Sequence, residues 1–187
     1  MKRSLLGVLL GTLALYVWGM LYWGINPLPY TAWHRSTNDA EAGQALLKHF
    51  PESGTYYLPG MYNDPATLAK LYESGPIAFI HVTSREGRPR NERTILVKGF
   101  LLDLVVVALP AWLLKLAAPA ARTYGSRIRV AAVAGLTAAV LVDFGDMVWW
   151  YLPWDWKLHQ AVYTFSAWVV PALVLAKFIR PEALKAE

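Results

Sequence analysis

The stretch LLGVLLGTLALYVWGMLYWGI, residues 5–25, decides the fold class because it carries no charged residue. A helix needs about 20 mostly apolar residues to cross the hydrocarbon core of a bilayer. Lys2 and Arg3 precede the stretch, so a cleaved signal peptide is the alternative. The apolar part of a signal peptide is only about 7–15 residues long and ends at small residues. Residues 5–25 continue instead through Trp18 and Trp23, and they therefore predict an uncleaved signal-anchor helix.

Three further apolar stretches follow, at residues 99–118, 130–152 and 158–179. Hydrophobic residues make up 56% of the chain, against about 45–50% in soluble proteins. The sequence therefore predicts a membrane α-helical fold with four transmembrane helices and a small α/β extramembrane segment between helices 1 and 2. In the first span, Gly7-x-x-x-Gly11 has the spacing of a helix-packing face, and two ordinary glycines are the alternative.

The segment between the first two spans, residues 26–97, has the pattern of a small α/β unit. Capping residues and helical spacing predict a helix over residues 40–50, and Asp64 followed by Pro65 predicts the start of a second helix. Short runs of β-favouring residues predict strands at residues 55–58, 77–82 and 94–97. A segment of this size buries only a marginal core, so we expect it to pack against the membrane helices or a partner.

Lysine and arginine in the short loops indicate the orientation, because cytoplasmic loops carry an excess of both. One side collects the basic residues of the N-terminus, of the loop between the second and third spans, and of the C-terminal tail. These are Lys2, Arg3, Lys115, Arg122, Arg127, Arg129, Lys177, Arg180 and Lys185. The opposite side holds the loop of residues 153–157 and the long segment. Both termini are therefore expected on the cytoplasmic face.

The predicted organisation has three parts. Residues 1–25 form the signal-anchor transmembrane helix, and residues 26–97 form a periplasmic α/β segment. Residues 98–187 form a three-transmembrane-helix region with a cytoplasmic tail. The short loops and the lack of cysteine fit a bacterial inner (plasma) membrane as the location.

Ionisable residues inside the spans are the strongest pointers to a site, because their burial in hydrocarbon costs several kcal/mol. By the predicted topology, five polar residues share the outer half of the bilayer: Asp103, Asp143, Asp146, His159 and Gln160. Asp143 and Asp146 lie on one helix face. One interpretation is a polar site that relays protons, binds a cation or a lipid headgroup, or holds a substrate. The other is structural, with the acids hydrogen-bonded to Tyr163, Thr164 or Lys157.

Tryptophans concentrate near the predicted outer ends of the spans, where amphipathic aromatic rings favour the membrane–water interface. The predicted interface aromatics are Trp23, Trp33, Trp149, Trp150, Trp154 and Trp156. We expect this aromatic rim to contact lipid or a partner.

Several functional classes are excluded by features that the sequence lacks. It contains no cysteine, which removes disulfide scaffolds, thiol catalysis and thiolate metal sites. Its histidines show no metal-ligand spacing, so no metal and no other cofactor is expected. No nucleotide-binding loop or nucleophile motif is present, and no catalytic residue is assigned. The net charge of +5 lies at the ends of apolar runs and in one loop, which favours a bilayer over nucleic acid as the partner.

Three short motifs carry a resemblance to a known group: residues 27–34 after the first span, residues 53–59, and the Gly75–Pro76 step before an apolar strand. With them the chain resembles a family of small, uncharacterised bacterial inner-membrane proteins. The resemblance covers most of the chain and implies a membrane anchor, an outward α/β segment and three further helices. It implies no activity and no catalytic residue.

The sequence favours a non-enzymatic accessory or scaffold protein of the cell envelope. Such a protein would contact a membrane-protein partner, a second copy of itself or lipid through its periplasmic segment. The alternative is a small transporter or membrane enzyme that works through the carboxylate and histidine cluster of the outer leaflet.

Overall fold

Four helices in the described part of the chain are long and apolar enough to cross a membrane, and the predicted number of spans is confirmed. The structure is a computed structural model that describes residues 2–89 and 92–179. The four helices cover Lys2–Ile25, Thr94–Ala117, Tyr124–Trp149 and Trp154–Phe178. Each begins a few residues before its apolar stretch. Two basic residues of the predicted tail, Arg180 and Lys185, lie outside the described residues.

The first and third spans each combine an α-helix with a π-helical segment. In chain order, the structure begins with α1 (Lys2–Gly19), the π-helical segment Met20–Ile25 and a 3₁₀ turn at Leu28–Ala32. The elements before the second span are α2 (Asp39–His49), β1 (Gly54–Leu58), α3 (Pro65–Ser74) and β2 (Ala78–Val82). The remaining elements are α4 (Thr94–Ala117), α5 (Tyr124–Ala139), the π-helical segment Val140–Phe144, α6 (Gly145–Trp149) and α7 (Trp154–Phe178).

The predicted strand at residues 94–97 is wrong, because these residues form the first turn of α4. β-Branched residues produced the strand pattern, but they run directly into the apolar stretch of the second span. A helix satisfies its backbone groups within the segment itself, whereas a strand needs a neighbour. The sheet of the described residues has two strands, β1 and β2.

The spans pack closely through small residues. α1 lies against α4 and α7, and α5 lies against α7. A Cβ added to Gly7 would approach the Cβ of Phe178 to 2.7 Å, and one added to Gly11 would approach Cγ1 of Val107 to 3.1 Å. Both glycines are buried. The spacing Gly7-x-x-x-Gly11 therefore marks a helix-packing face, which was one of its two interpretations.

The third span presents a buried stripe at every fourth position. The residues of this stripe are Arg127, Ala131, Gly135, Ala139 and Asp143. The glycine allows close approach of α7, because a Cβ on Gly135 would lie 2.7 Å from the Cβ of Trp168. The π-helical segment that carries Asp143 also packs against α7. The stripe thus brings one charged side chain at each end of the span into the packed interface.

The bundle has two chemically different ends. At the first, Nη2 of Arg3 donates to the carbonyl of Lys177 at 3.1 Å, so the start of α1 lies beside the end of α7. At the second, the Tyr22 hydroxyl donates to the carbonyl of His159 at 2.8 Å. α1 and α7 are therefore antiparallel. We call the first the basic end, and the second, which holds Lys157, the Lys157 end.

Residues His34–Glu92 form a compact unit of their own, here called the small unit, and Met1–Trp33 with Arg93–Glu187 form the helical unit. In the small unit, β1 and β2 pair antiparallel from Gly54↔Val82 to Leu58↔Ala78. Asp64 caps α3, as predicted, by accepting from the backbone N–H groups of the first turn. Hydrogen bonds from Thr67 hold the pKa of the Asp64 carboxyl below its usual value. The bond from the side chain of Thr67 has the larger effect on this pKa, and the bond from its backbone N–H adds to it.

The small unit has little hydrophobic core. Among its described residues, Phe50 is the one large apolar side chain that is buried, at 8% exposure. The guanidinium of Arg85 donates to the carbonyls of Phe50 and Leu47 and so closes the end of α2. The helical unit contrasts with this arrangement, because Val107, Leu114 and other side chains of its core are fully buried.

Candidate functional site

Lys157 forms the centre of a buried charged cluster. The side chain is in the first turn of α7, and the residue is 4% exposed. Its Nζ lies 3.1 Å from Oδ1 of Asp143 and 2.8 Å from Oδ2 of Asp146. The same ammonium donates a 2.7 Å hydrogen bond to Oε1 of Gln160. Each of the three ammonium donors therefore has one oxygen acceptor. We call these four residues the Lys157 cluster.

The Lys157 cluster leaves one acceptor unused. Oδ2 of Asp143 is buried and has no hydrogen-bond partner among the described residues. The cluster also combines one cation with two carboxylates, so its ionised form carries one uncompensated negative charge. Both features are costly in a low-dielectric interior. The arrangement can therefore accept a proton or another donor at Asp143 Oδ2. Asp146, with its side chain 32% exposed, lies on the more open side of the cluster.

A tight turn between α6 and α7 brings the charges together. The carbonyl of Asp146 accepts from the backbone N–H groups of both Trp150 and Leu152, which ends α6. Tyr151 then takes a left-handed conformation with φ of 55°, uncommon for a bulky residue. Pro153 precedes the new helix, and its ring fixes its own φ angle at −57°. The chain reverses its direction within this turn. Lys157 therefore lies beside Asp143 and Asp146, which precede the turn in the sequence.

Two of the five predicted site residues lie apart from the cluster. Among the described residues, neither the carboxylate of Asp103 nor the imidazole of His159 forms a hydrogen bond or ion pair with Lys157. Asp103 is half-buried on α4, within electrostatic range of the Tyr163 phenol. His159 is half-buried and contributes its backbone carbonyl to Tyr22. The structure thus brings together Asp143, Asp146 and Gln160, with Lys157 as the residue that joins them.

An aromatic cluster adjoins this end of the bundle. The Trp23 ring lies 5.7 Å from that of Trp156 and 5.3 Å from that of Tyr163, between ring centroids. Trp33 extends the cluster, with its ring centroid 5.6 Å from that of Trp156. The hydroxyl of Tyr30 donates to the carbonyl of Trp23. These contacts fix the chain that leaves the first span against the start of α7.

The other predicted interface tryptophans point outward. Trp149, Trp150 and Trp154 are all exposed, at the turn between α6 and α7. The predicted group of interface aromatics therefore divides into two sets. Trp23, Trp33 and Trp156 pack together, whereas Trp149, Trp150 and Trp154 are exposed at the turn, which suits an interfacial belt.

No family model, curated protein or solved structure matches this chain.

A second buried cation, Arg127, lies at the basic end. It is 5% exposed. Its Nε donates to the carbonyl of Ala121 at 3.1 Å, and its two terminal nitrogens donate to the carbonyls of Arg122 and Ala176. Ala176 belongs to the last turn of α7, whose carbonyls lack partners within the helix. Arg127 therefore joins the α4–α5 loop to the end of α7 without a carboxylate.

Sequence reasoning did not identify the central roles of Lys157 and Arg127. From the sequence, Lys157 was expected only as one hydrogen-bond partner of the buried acids. Arg127 was expected only as one of the basic residues that indicate the cytoplasmic side. The fourfold spacing of Ala131, Gly135 and Ala139 could have placed Arg127 on the buried face. In residues 2–89 and 92–179, no three carboxylate or histidine side chains come together as a metal site.

Proposed function

We propose that the chain is a multi-pass protein of a bacterial inner membrane and acts as a non-enzymatic accessory or scaffold protein. In this proposal both termini are cytoplasmic, the first span is an uncleaved signal anchor, and the small unit lies in the periplasm. The small unit contacts a membrane-protein partner or a second copy of the chain. The helical unit anchors it and contributes its aromatic rim to the lipid interface.

The apolar surface of the small unit carries this proposal. Leu46 and Leu47 lie on the apolar face of α2, which would be buried in the core of an independent domain. In this structure both side chains are exposed. Met61, Tyr62 and Ile77 are also exposed, and Tyr62 reaches 89%. A two-stranded sheet is marginally stable without additional packing. Large exposed apolar side chains around such a sheet are typical of a surface that binds another protein.

The charge distribution supports the proposed orientation. Seven described basic residues lie at the basic end, and residues 112–130 contain no acid. They are Lys2, Arg3, Lys115, Arg122, Arg127, Arg129 and Lys177, whereas Arg93, Lys98 and Lys157 lie near helix starts at the opposite end. The turn between α6 and α7 is at the opposite end, with Asp155 and Lys157. An excess of lysine and arginine in short loops favours the cytoplasmic face. The small unit follows the first span, and this orientation therefore assigns it to the periplasmic side.

Site-specific photo-crosslinking in membranes tests the docking surface. A photoreactive phenylalanine analogue replaces Tyr62 in the full-length protein, and the matched control carries it at Lys70, an exposed polar position of the same unit. We expect irradiation to give a discrete adduct from position 62 and none from position 70. Leu46→Glu combined with Leu47→Glu should abolish that adduct while the protein level is maintained. A chain that remains uncrosslinked at position 62 would refute docking through this surface.

A second candidate function is favoured by the unpartnered oxygen of Asp143. A buried carboxylate oxygen beside an ion pair could load and release a proton or a small cation during transport. Reconstitution of the purified protein into liposomes with an internal pH-sensitive dye distinguishes the two functions. A transporter predicts flux above that of empty liposomes, and Asp143→Asn abolishes the flux without loss of folded protein. A scaffold predicts that the wild-type protein gives no flux.

A further inference from the structure

A surface groove lies between α1 and α4 at the basic end of the bundle. Its volume is about 390 Å³. Leu5 and Val8 of α1 line one side, and Ala108 and Trp112 of α4 line the other. The α4 side of the groove leaves space because the side chain of Ala108 is short. The volume and the apolar lining of the groove suit part of one hydrocarbon chain laid along the helices.

Two lysines line the same groove. Lys2 comes from the first turn of α1 and Lys115 from the last turn of α4, and the hydroxyl of Ser4 lies with them. Both lysines are exposed, so their ammonium groups reach water while their alkyl stems cover apolar surface. No acidic residue lies in residues 2–8 or 112–130 to neutralise them. The groove thus has an apolar body and a cationic mouth.

Trp112 gives the depth of the groove in the membrane. Trp112 is 63% exposed and lies one turn before Lys115 on α4. Tryptophan favours the boundary between hydrocarbon and headgroups, and lysine favours the headgroup layer. The lysines therefore lie at the level of lipid phosphates, and the apolar body of the groove lies at the level of acyl chains.

We propose that this groove binds one anionic phospholipid. One acyl chain lies between α1 and α4 against Leu5, Val8 and Ala108. Lys2 and Lys115 hold the phosphate by charge, and the Ser4 hydroxyl donates a hydrogen bond to it. The proposal does not depend on partner docking by the small unit, because every residue of the groove belongs to the helical unit.

Native mass spectrometry of the full-length protein released from lipid nanodiscs tests the cationic mouth. The nanodiscs contain phosphatidylglycerol and phosphatidylcholine in equal amounts, and the measured quantity is the ratio of the two lipids retained. We expect phosphatidylglycerol to be enriched on the wild-type protein. Lys2→Gln combined with Lys115→Gln should lower the enrichment by more than tenfold, since each surface lysine contributes about fivefold.

The matched control removes two charges from the same end of the bundle but outside the groove. Arg129 and Lys177 are exposed and do not line it. Arg129→Gln combined with Lys177→Gln should change the enrichment by less than about twofold. Equal losses in the two double variants would overturn the proposal, because they would show a general charge effect. Retention of full enrichment without Lys2 and Lys115 would overturn it as well.

A filled groove tests the apolar body separately. Ala108→Phe places a ring where the acyl chain would lie, and Leu101→Phe places one on the same helix outside the groove. We expect Ala108→Phe to reduce retained phosphatidylglycerol at least fivefold and Leu101→Phe to leave it unchanged. Thermal unfolding of both variants in the same detergent checks that each is folded. Normal retention by a folded Ala108→Phe variant would contradict an acyl chain in the groove.

Discussion

Two cations are buried in the same bundle, and they are satisfied in opposite ways. Within residues 2–89 and 92–179, Arg127 at the basic end donates only to backbone carbonyls, including one in the last turn of α7. Lys157, at the other end, contacts two carboxylates and an amide oxygen. Both residues are about equally buried, so the difference lies in their partners.

The comparison separates a closed structural contact from an open polar site. The three carbonyls around Arg127 are neutral groups. One of them belongs to the last turn of α7, where the helix dipole favours a cation, and the other two belong to the α4–α5 loop. Lys157 is surrounded by more negative charge than it can compensate, and one oxygen of Asp143 has no hydrogen-bond partner in the described part of the chain. We therefore expect Arg127 to contribute stability alone. The Lys157 cluster contributes stability and also retains an acceptor that a proton or ligand can use.

The largest expected effect follows from Lys157→Met. This change leaves two buried carboxylates without their cation, and removal of one partner of a buried pair costs about 3–5 kcal/mol. Unfolding of the purified protein in a denaturing detergent series measures the loss. Addition of Asp143→Leu to the same chain should restore part of the stability. If Lys157→Met alone unfolded like the wild type, the pair would contribute no stability and the comparison would fail.

A somewhat smaller loss is expected from Arg127→Met. Three charge-assisted hydrogen bonds disappear, and the carbonyls at the end of α7 lose their donor, which together cost about 3 kcal/mol. Arg127→Lys should recover only part of this stability, because one ammonium cannot reproduce the planar guanidinium geometry. Arg129→Met, at an exposed position of the same helix, is the control and should change the unfolding midpoint little. Equal effects at positions 127 and 129 would refute the structural role of Arg127.

The packed stripe between the two cations gives the third prediction. Gly135→Ala places a Cβ against Trp168 at 2.7 Å and should destabilise the protein by about 1–3 kcal/mol through overpacking. Gly125→Ala, in the first turn of the same helix, meets no heavy atom within 4 Å. It should be neutral or slightly stabilising because alanine favours helix. Thermal unfolding of the two variants in one detergent should therefore give shifts of different size or opposite sign.

The smallest effect concerns the turn that positions the Lys157 cluster. Tyr151→Gly removes the strain of a bulky residue with φ of 55° and loses little burial, because the tyrosine is exposed. We expect stabilisation of about 1 kcal/mol. Tyr151→Val, which introduces a β-branched residue at the same φ, should destabilise the protein. Equal midpoints for the glycine and valine variants would show that the turn relaxes freely.

The sequence predicted the elements that depend on local signals. Long apolar stretches predicted the four long helices, and Asp64 with Pro65 predicted the start of α3, because span length and helix capping are properties of consecutive residues. The prediction of a strand at residues 94–97 was wrong because it relied on the local signal alone. β-Branched residues favour strands in general, but the apolar stretch that follows them imposes a helix.

The sequence predicted which residues lie at the same end of the bundle, but not which of their side chains contact each other. Antiparallel spans placed Asp143, Asp146 and Gln160 at one end, but helix rotation decides which side chains meet, and rotation depends on packing between distant residues. The close approach at Gly135 and the left-handed conformation of Tyr151 set the rotation of these helices. Neither residue has a sequence pattern that would mark it as part of a site. Asp103 and His159 therefore share the predicted depth without joining the Lys157 cluster.

The most direct test concerns the two ends of the bundle and the faces of the membrane to which they belong. The chain has no native cysteine, so single-cysteine variants need no cysteine-free background. Lys70→Cys reports on the small unit outside the proposed docking surface, and Gly125→Cys reports on the basic end. In bacterial spheroplasts treated with a membrane-impermeant maleimide, we expect label on Lys70→Cys at once and on Gly125→Cys only after lysis. Labelling of both positions in intact spheroplasts would contradict the proposed topology.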